Sequence, residues 1–424
     1  MATVFKKLIA VLMLLLLAGP SPLSAQSFNY GFKHLTTDQG LSHDNVYYIT
    51  KDKQGFVWLG TMNGLNRYDG VRVVSFLHQP NDTTSLQHNF ITGLECDKDG
   101  YIWVASDAGI CRYNPHTEQF RILNFPDDGN LTRAYTATTS DERIFITRNH
   151  NLYELDARNF MAKKVADLGF DKGELRVFPA ANGNLWIISS TALYFVDTKL
   201  FKLDYVMGRD DVHPTATPGV MTVYTDPNGK SWIGTWEAGL MSYNDQTKKT
   251  TSVAPRISFI VSIKADIDFA KNGLLWMSAG YAGLGQYNVN TGRFMDIPQN
   301  IQQPWSHNGS RVHTFYRDSL NGILWMGTEY GIEKYDHNTE HFARKMLPSS
   351  GAVGQFPSVN AVIKDKTDTS GRTWWISSWV SGFFKWNRHT DEITNYNSKL
   401  HSLEIFDLQQ DDDGNIWIAE WRGV

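Results

Sequence analysis

Short apolar and β-branched runs of five or six residues alternate with polar turns along almost the whole chain, with a period of 40 to 50 residues. Asn45–Lys51 is rich in β-branched and aromatic residues, as a strand should be. Asp52-Lys-Gln-Gly55 is a tight turn, because Asp can bond its own backbone and Gly accepts positive φ. Phe56–Thr61, Leu65–Tyr68 and Val71–Phe76 complete a set of four predicted antiparallel strands, with Met62-Asn-Gly64 turning between the second and third. The unit recurs, and its second strand marks the repeat. Trp58 sits in Gly55-Phe-Val-Trp-Leu-Gly-Thr61 and Trp103 in Gly100-Tyr-Ile-Trp-Val-Ala-Ser106, followed by Trp186, Trp232, Trp276, Trp325, Trp375 and Trp417. Phe145 holds the slot in a weaker copy at Asp141–Asp156. The gaps are 45, 42, 41, 46, 44, 49, 50 and 42 residues. A repeat of this length built only from strands predicts an all-β chain of propeller blades, each a four-stranded antiparallel sheet.

The turns carry the same chemistry in other copies. Asp97-Lys-Asp-Gly100, Asp226-Pro-Asn-Gly229 and Asp411-Asp-Asp-Gly414 repeat the first turn. Gly109, Gly239, Gly283, Gly331 and Gly382 occupy the second. Tyr68, Tyr113, Tyr194, Tyr243, Tyr287 and Tyr335 close the third strand. The tryptophans are expected to pack between blades, and the small pair after each suits a crowded place near the axis.

Composition adds bounds. Of the 424 residues, 42% are hydrophobic and 20% charged, ample for a large core. The net charge of −4 and scattered basic residues give no general attraction for nucleic acid. Lys6-Lys7, the apolar run Leu8–Ala18 and Leu23-Ser24-Ala25 read as a signal peptide over residues 1–25, with an uncleaved anchor as the alternative. Cys96 and Cys111 fall on strands separated by the one carrying Trp103. Their Cα atoms should lie about 10 Å apart, too far for a disulfide. No His-x-x-x-His pattern signals a metal, Asp411-Asp-Asp-Gly414 reads as a turn, and no Gly-x-Ser-x-Gly elbow appears. No cofactor, metal site or catalytic residue is expected, although a carboxylate pair on the propeller face stays open.

Gly-x-[Ile/Leu/Val]-Trp-[Leu/Ile/Met]-Gly-Thr followed by Gly-[Leu/Ile]-x-x-Tyr resembles the two-component regulator propeller repeat. Phe32-Lys-His-Leu-Thr-Thr-Asp-Gln-Gly-Leu-Ser-His-Asp-Asn-Val46 and Gly64-Leu-Asn-Arg-Tyr-Asp-Gly70 resemble the entry into that family's sensor regions. The resemblance spans roughly residues 28–424. It implies the periplasmic sensor region of a hybrid two-component histidine kinase, which detects an oligosaccharide or other small extracellular ligand and feeds a phosphorelay. The family pattern is two seven-bladed propellers, an immunoglobulin-like domain, a membrane helix and kinase, receiver and DNA-binding modules. It also implies a homodimer in the parent receptor, anchored in the inner membrane by parts missing here. The chain stops at Trp421-Arg-Gly-Val424, inside the ninth repeat, and carries no kinase motifs. It therefore reads as a fragment or a truncated product, with no enzyme activity of its own.

The expected division is a first propeller of seven repeats over 28–345 and the first blades of a second over 346–424. Leu347-Pro-Ser-Ser-Gly-Ala-Val-Gly-Gln-Phe-Pro357 would be the passage between them. A single ring of eight or nine blades is the rival. In a propeller whose innermost strand comes first, the second-to-third turns and the interblade connections share one face. That face carries Trp236, Tyr281, Tyr330, Trp379 and Trp421 at turn tips. It also carries the connections Gly208-Arg-Asp-Asp-Val-His-Pro214 and Gln302-Gln-Pro-Trp-Ser-His-Asn-Gly-Ser-Arg311. Exposed aromatics suit sugar rings, which present apolar CH faces and polar edges. Trp236, Tyr281, Trp305, His307, Arg311, Tyr330 and Trp379 are the candidate ligand-binding residues. The alternatives are aromatics that cover blade ends or contact another subunit, a secreted propeller enzyme acting on polysaccharide, and a protein-binding scaffold.

Overall fold

A computed structural model describes residues 30–126, 132–169, 174–190, 192–208, 219–279, 283–301, 303–339, 347, 358–390 and 392–421. The segment read as a signal peptide, Tyr281, the 209–218 connection and nearly all of the 347–357 passage lie outside them. The chain divides into two compact units, residues 1–342 and 343–424.

The first unit holds seven four-stranded antiparallel sheets. Their innermost strands are Val46–Lys51, Ile91–Cys96, Ala134–Thr138, Arg176–Pro179, Val220–Thr225, Ser262–Ala265 and Val312–Asp318. Each of these strands adjoins the next, and the seventh adjoins the first, so the blades form a closed ring. Six blades take their four strands from consecutive sequence. The seventh takes its outer strand from the N-terminus: Phe32–Leu35 pairs antiparallel with Gly331–Asp336. Gly331 (φ +95°) lets the two strands meet, because a Cβ there would strike the Leu35 carbonyl. The opening phrase thus serves as the clasp of the ring, a role that reading the repeats in order did not assign.

The repeat explains its own composition. At five of the seven junctions the aromatic of one blade packs against the third-strand tyrosine of the next, while Trp103 stacks on Phe160 of blade three at 5.5 Å. Ring centroids are 4.8 Å apart for Trp58–Tyr113, 5.1 Å for Trp186–Tyr243, 5.9 Å for Trp232–Tyr287 and 5.2 Å for Trp276–Tyr335. Trp325 of blade seven meets Tyr68 of blade one at 6.1 Å, closing the series. Phe145 fills the position in blade three and is fully buried. The following Gly60 lies so close to blade two that a Cβ would come within 2.6 Å of Ile91.

The turn aspartate does more than shape its turn. In blade two, Asp97 Oδ1 accepts the amides of Asp99 (2.9 Å) and Tyr101 (3.0 Å), while Oδ2 accepts the Trp103 indole N–H at 2.7 Å. The same latch joins Asp52 to Trp58 (2.7 Å), Asp226 to Trp232 (2.8 Å) and Asp266 to Trp276 (2.6 Å). Blade four carries Ala180 in place of the aspartate, and the buried Trp186 Nε1 has no partner. Cys96 and Cys111 are both free thiols.

The second unit contains one four-stranded sheet, Val359–Asn395, and a two-stranded one, Ile405–Glu420. Phe383, Ile405 and Leu408 form its buried centre with Trp375, Ile416 and Ile418 around them. Trp417 keeps the latch to Asp411 at 2.9 Å although it is 57% exposed.

Candidate functional site

The inner strands converge on the axis, and four of them carry the same irregularity. Pairing with the second strand slips by one residue at Tyr47, Thr92, Met221 and His313, which have no cross-strand partner there. A bulge of this kind re-aims a side chain. All four residues line one cavity of about 350 Å³, in the range of small-molecule sites. Tyr135, Arg176 and Val261, at the corresponding ends of the other three inner strands, complete a lining drawn from all seven blades. Tyr48, Thr136, Phe178, Thr222, Ser262 and Thr314 continue it, and Trp236 and Arg311 join from the loop face.

The wall mixes rings with polar groups. Tyr47 packs on His313 with centroids 4.5 Å apart, and Trp236 packs on Phe259 at 4.3 Å. Burial holds the His313 imidazole down at about 4, outweighing the opposing pull of Glu329, so the ring is neutral at pH 7. Its buried Nε2 and the Thr136 hydroxyl have no hydrogen-bond partner. Burial raises Tyr48 to about 12, leaving its phenol protonated. Arg311 pairs with Glu329 at 3.4 Å. Beside the cavity, Arg133 grips Asp107 at 2.6 and 3.2 Å and also pairs with Glu174, which accepts the Tyr135 hydroxyl at 2.6 Å. A smaller cleft of about 160 Å³, lined by Arg133, Tyr135, Thr147 and Glu174, opens next to this cluster. Farther along the inner strands lie Glu95, pushed up to about 7 by burial while Thr138 donates to it at 2.6 Å, and Lys264, pulled down by burial.

The residues nominated from sequence separate into distinct places. Trp236 and Arg311 come together in the cavity wall. Tyr330 is 62% exposed beside Glu329 and does not line the cavity. Trp305 is half-buried in the connection into blade seven, where its carbonyl accepts the Phe32 amide at 2.7 Å. His307 is buried away from the cavity; its Nδ1 meets Glu333 Oε2 at 2.7 Å, and the Asn308 amide donates to Oε1 at 2.7 Å. That arrangement makes His307 a tie between the connection and the strand clasped by the N-terminus. Trp379 belongs to the second unit and packs on Phe406 at 4.8 Å. Tyr281 lies outside the described residues.

Sequence reasoning missed Tyr47, Thr92, Tyr135, Arg176, Met221 and His313. They stand 11, 11, 10, 10, 11 and 12 residues ahead of the blade's aromatic, so aligning the repeats exposes them as one variable column. Among the described residues, no group of three or more His, Cys, Asp or Glu is placed to hold a metal ion, and no helix is long and apolar enough to cross a membrane.

Residues 40–63, 85–108 and 399–422 match the two-component regulator propeller. Histidine kinase P4 of Formosa agariphila is 42% identical over 64 residues, covering 15% of this chain and 5% of that protein. The extracellular domain of a hybrid two-component system from B. thetaiotaomicron matches with a TM-score of 0.63 at 22% identity, over 92% of this chain and 52% of that one. Another such domain from the same organism matches at 0.58 and 18%, over 92% and 51%. Virginiamycin B lyase of Staphylococcus aureus matches at 0.55 and 14%, over 72% and 98%. The chain carries two-component regulator propeller repeats and is an all-β propeller protein. It spans about half the length of the solved extracellular domains, whose likeness at these identities is one of fold.

Proposed function

We propose that this chain is the ligand-sensing region of a hybrid two-component sensor, acting outside the cytoplasm, and that its ligand is an oligosaccharide bound at the axial cavity. The observation that carries the reading is the cavity itself: about 350 Å³, reached from the loop face, built by all seven blades and mixing aromatic rings with unpartnered polar atoms. Sugars need this mixture, since their faces are apolar and their edges are hydroxyls. The repeats and the likeness to extracellular domains of two-component systems support the sensor role. Under this reading the second unit opens a second propeller, and the kinase chemistry belongs to other parts of the parent receptor. A homodimer follows from the same reading, with ligand shifting an equilibrium between arrangements of stiff rings rather than deforming one ring.

The test is thermal unfolding of the whole chain against a panel of oligosaccharides. A ligand at 100 times its Kd adds about 2.7 kcal/mol. For a ring of about 300 residues that is roughly 4 °C. Trp236→Ala should abolish the shift. A well-folded protein that no glycan stabilises would sink the oligosaccharide reading and favour a peptide or protein partner.

A further inference from the structure

We propose that the axial cavity takes an anionic glycan, one bearing a uronate carboxylate or a sulfate ester, and that Arg176 receives the negative group. This rests on the sensor reading above and narrows its ligand. The chain as a whole is acidic, with 44 Asp and Glu against 40 Lys and Arg. The cavity wall reverses that balance. Its ionised side chains are Arg176 and Arg311, and it includes no Asp or Glu.

The nearby carboxylates are already committed. Glu329 pairs with Arg311 at 3.4 Å, Asp107 with Arg133 at 2.6 Å, and Glu174 with Arg133 and the Tyr135 hydroxyl. Arg176 differs. Its guanidinium makes one long hydrogen bond, 3.4 Å to the Val220 carbonyl, and no described carboxylate lies within ion-pair distance. Arg176 is half-buried, so it has lost part of its hydration without gaining a counter-charge. A ligand carboxylate or sulfate meeting the guanidinium fork would supply two charge-assisted hydrogen bonds.

The rest of the cavity fits the sugar that would carry such a group. Trp236 and Tyr47 offer faces for ring CH groups. The Thr136 hydroxyl and His313 Nε2, both buried and unpartnered, can each donate or accept toward ring hydroxyls. Arg311, held by a single 3.4 Å contact, is the second cation within the same wall.

The experiment uses the whole chain and oligosaccharides in matched triplets, neutral, uronate-bearing and sulfated, on galactose, glucose and mannose backbones. Stabilisation by thermal unfolding and affinity by calorimetry are read for wild type, Arg176→Gln and Arg311→Gln, with unliganded melting checked first. The expected result is binding by a charged member over its neutral counterpart, weakened about tenfold or more by Arg176→Gln. The uronate and sulfate arms tell the two anions apart. If Arg176→Gln fails to fold, the salt dependence of wild-type binding takes its place, because a charge-anchored ligand weakens as NaCl rises. A neutral glycan that binds as well as its charged partners, or affinity indifferent to Arg176 and to salt, would overturn the anionic assignment and leave the sensor reading standing. Absence of binding by every glycan would overturn the anionic assignment together with the oligosaccharide reading.

Discussion

Asp97→Ala is the sharpest test of how the ring is built. Asp97 is 7% exposed and accepts three hydrogen bonds, from the Asp99 and Tyr101 amides and from the Trp103 indole. The two amides lie at a turn that water can reach, so their loss costs little more than the net value of a hydrogen bond, about 1 kcal/mol together. The indole is different. Trp103 is fully buried, and its N–H would be stranded without water or an acceptor, at about 1–3 kcal/mol. The sum is roughly 3 kcal/mol. With an unfolding entropy of about 2.1 cal/mol/K per residue over about 300 residues, the ring should melt about 5 °C lower. Calorimetry of the whole chain reads this, the ring transition being identified by its larger enthalpy. Asp97→Asn keeps one acceptor oxygen and should fall between the two. An Asp97→Ala protein melting within about 1 °C of wild type would refute the latch and leave the aspartate as a turn former only.

Blade four supplies the converse: Ala180→Asp gives the unpartnered Trp186 indole an acceptor at the repeat's own position and should raise the ring's melting temperature by a degree or more. Removing Phe32–Leu35, or breaking its anchorage with Glu333→Ala, should lower the ring transition more than Asp97→Ala does, since Glu333 is fully buried and receives both His307 and the Asn308 amide. Two titratable groups on the inner strands set opposing pH slopes. His313, held at about 4, stays neutral while the unfolded chain protonates, so stability is full above about 6.5 and drains as pH falls toward 4, by at most about 3 kcal/mol. His313→Gln should flatten that loss in pH-dependent unfolding. Glu95, pushed up to about 7, acts the other way: its contribution is full below about 4.5 and lost as pH rises through 7, a slope that Glu95→Gln should remove.

The blades were legible in the sequence because the period is long and each copy restates the same physics. An aspartate and glycine make the turn, an aromatic fills the space between sheets, and a small residue follows where Gly60 abuts Ile91. Even the degenerate copy gave itself away by spacing, and Phe145 occupies the slot as expected. What stayed hidden depends on contacts between distant segments. The pairing of Phe32–Leu35 with Gly331–Asp336 joins residues some 300 apart, and a four-residue strand has no pattern long enough to announce its partner. His307 looked available because its connection is polar, yet Glu333 draws it into the interior. Trp236 and Arg311 were found as loop residues, whereas the bulged column from Tyr47 to His313 reads in any single repeat as ordinary strand.

That division follows from how a ring of repeats assigns work to positions. Positions that face a neighbouring blade meet a similar partner in most copies, so Trp, Tyr and Gly recur there and carry stability. The bulged position faces the axis rather than the flat of a neighbouring sheet, and it differs from blade to blade: Tyr47, Thr92, Met221 and His313 share a place and no chemistry. One position repeated around a closed ring therefore yields several independent choices converging on one volume. Changing one of them, such as Arg176, alters what the cavity accepts without touching the Asp–Trp latches or the Trp–Tyr contacts that hold the blades. Recognition and stability should thus be separable by mutation in this chain: Arg176→Gln should leave the unliganded melting temperature nearly unchanged, and Asp97→Ala should lower it while leaving the affinity of the surviving folded protein intact.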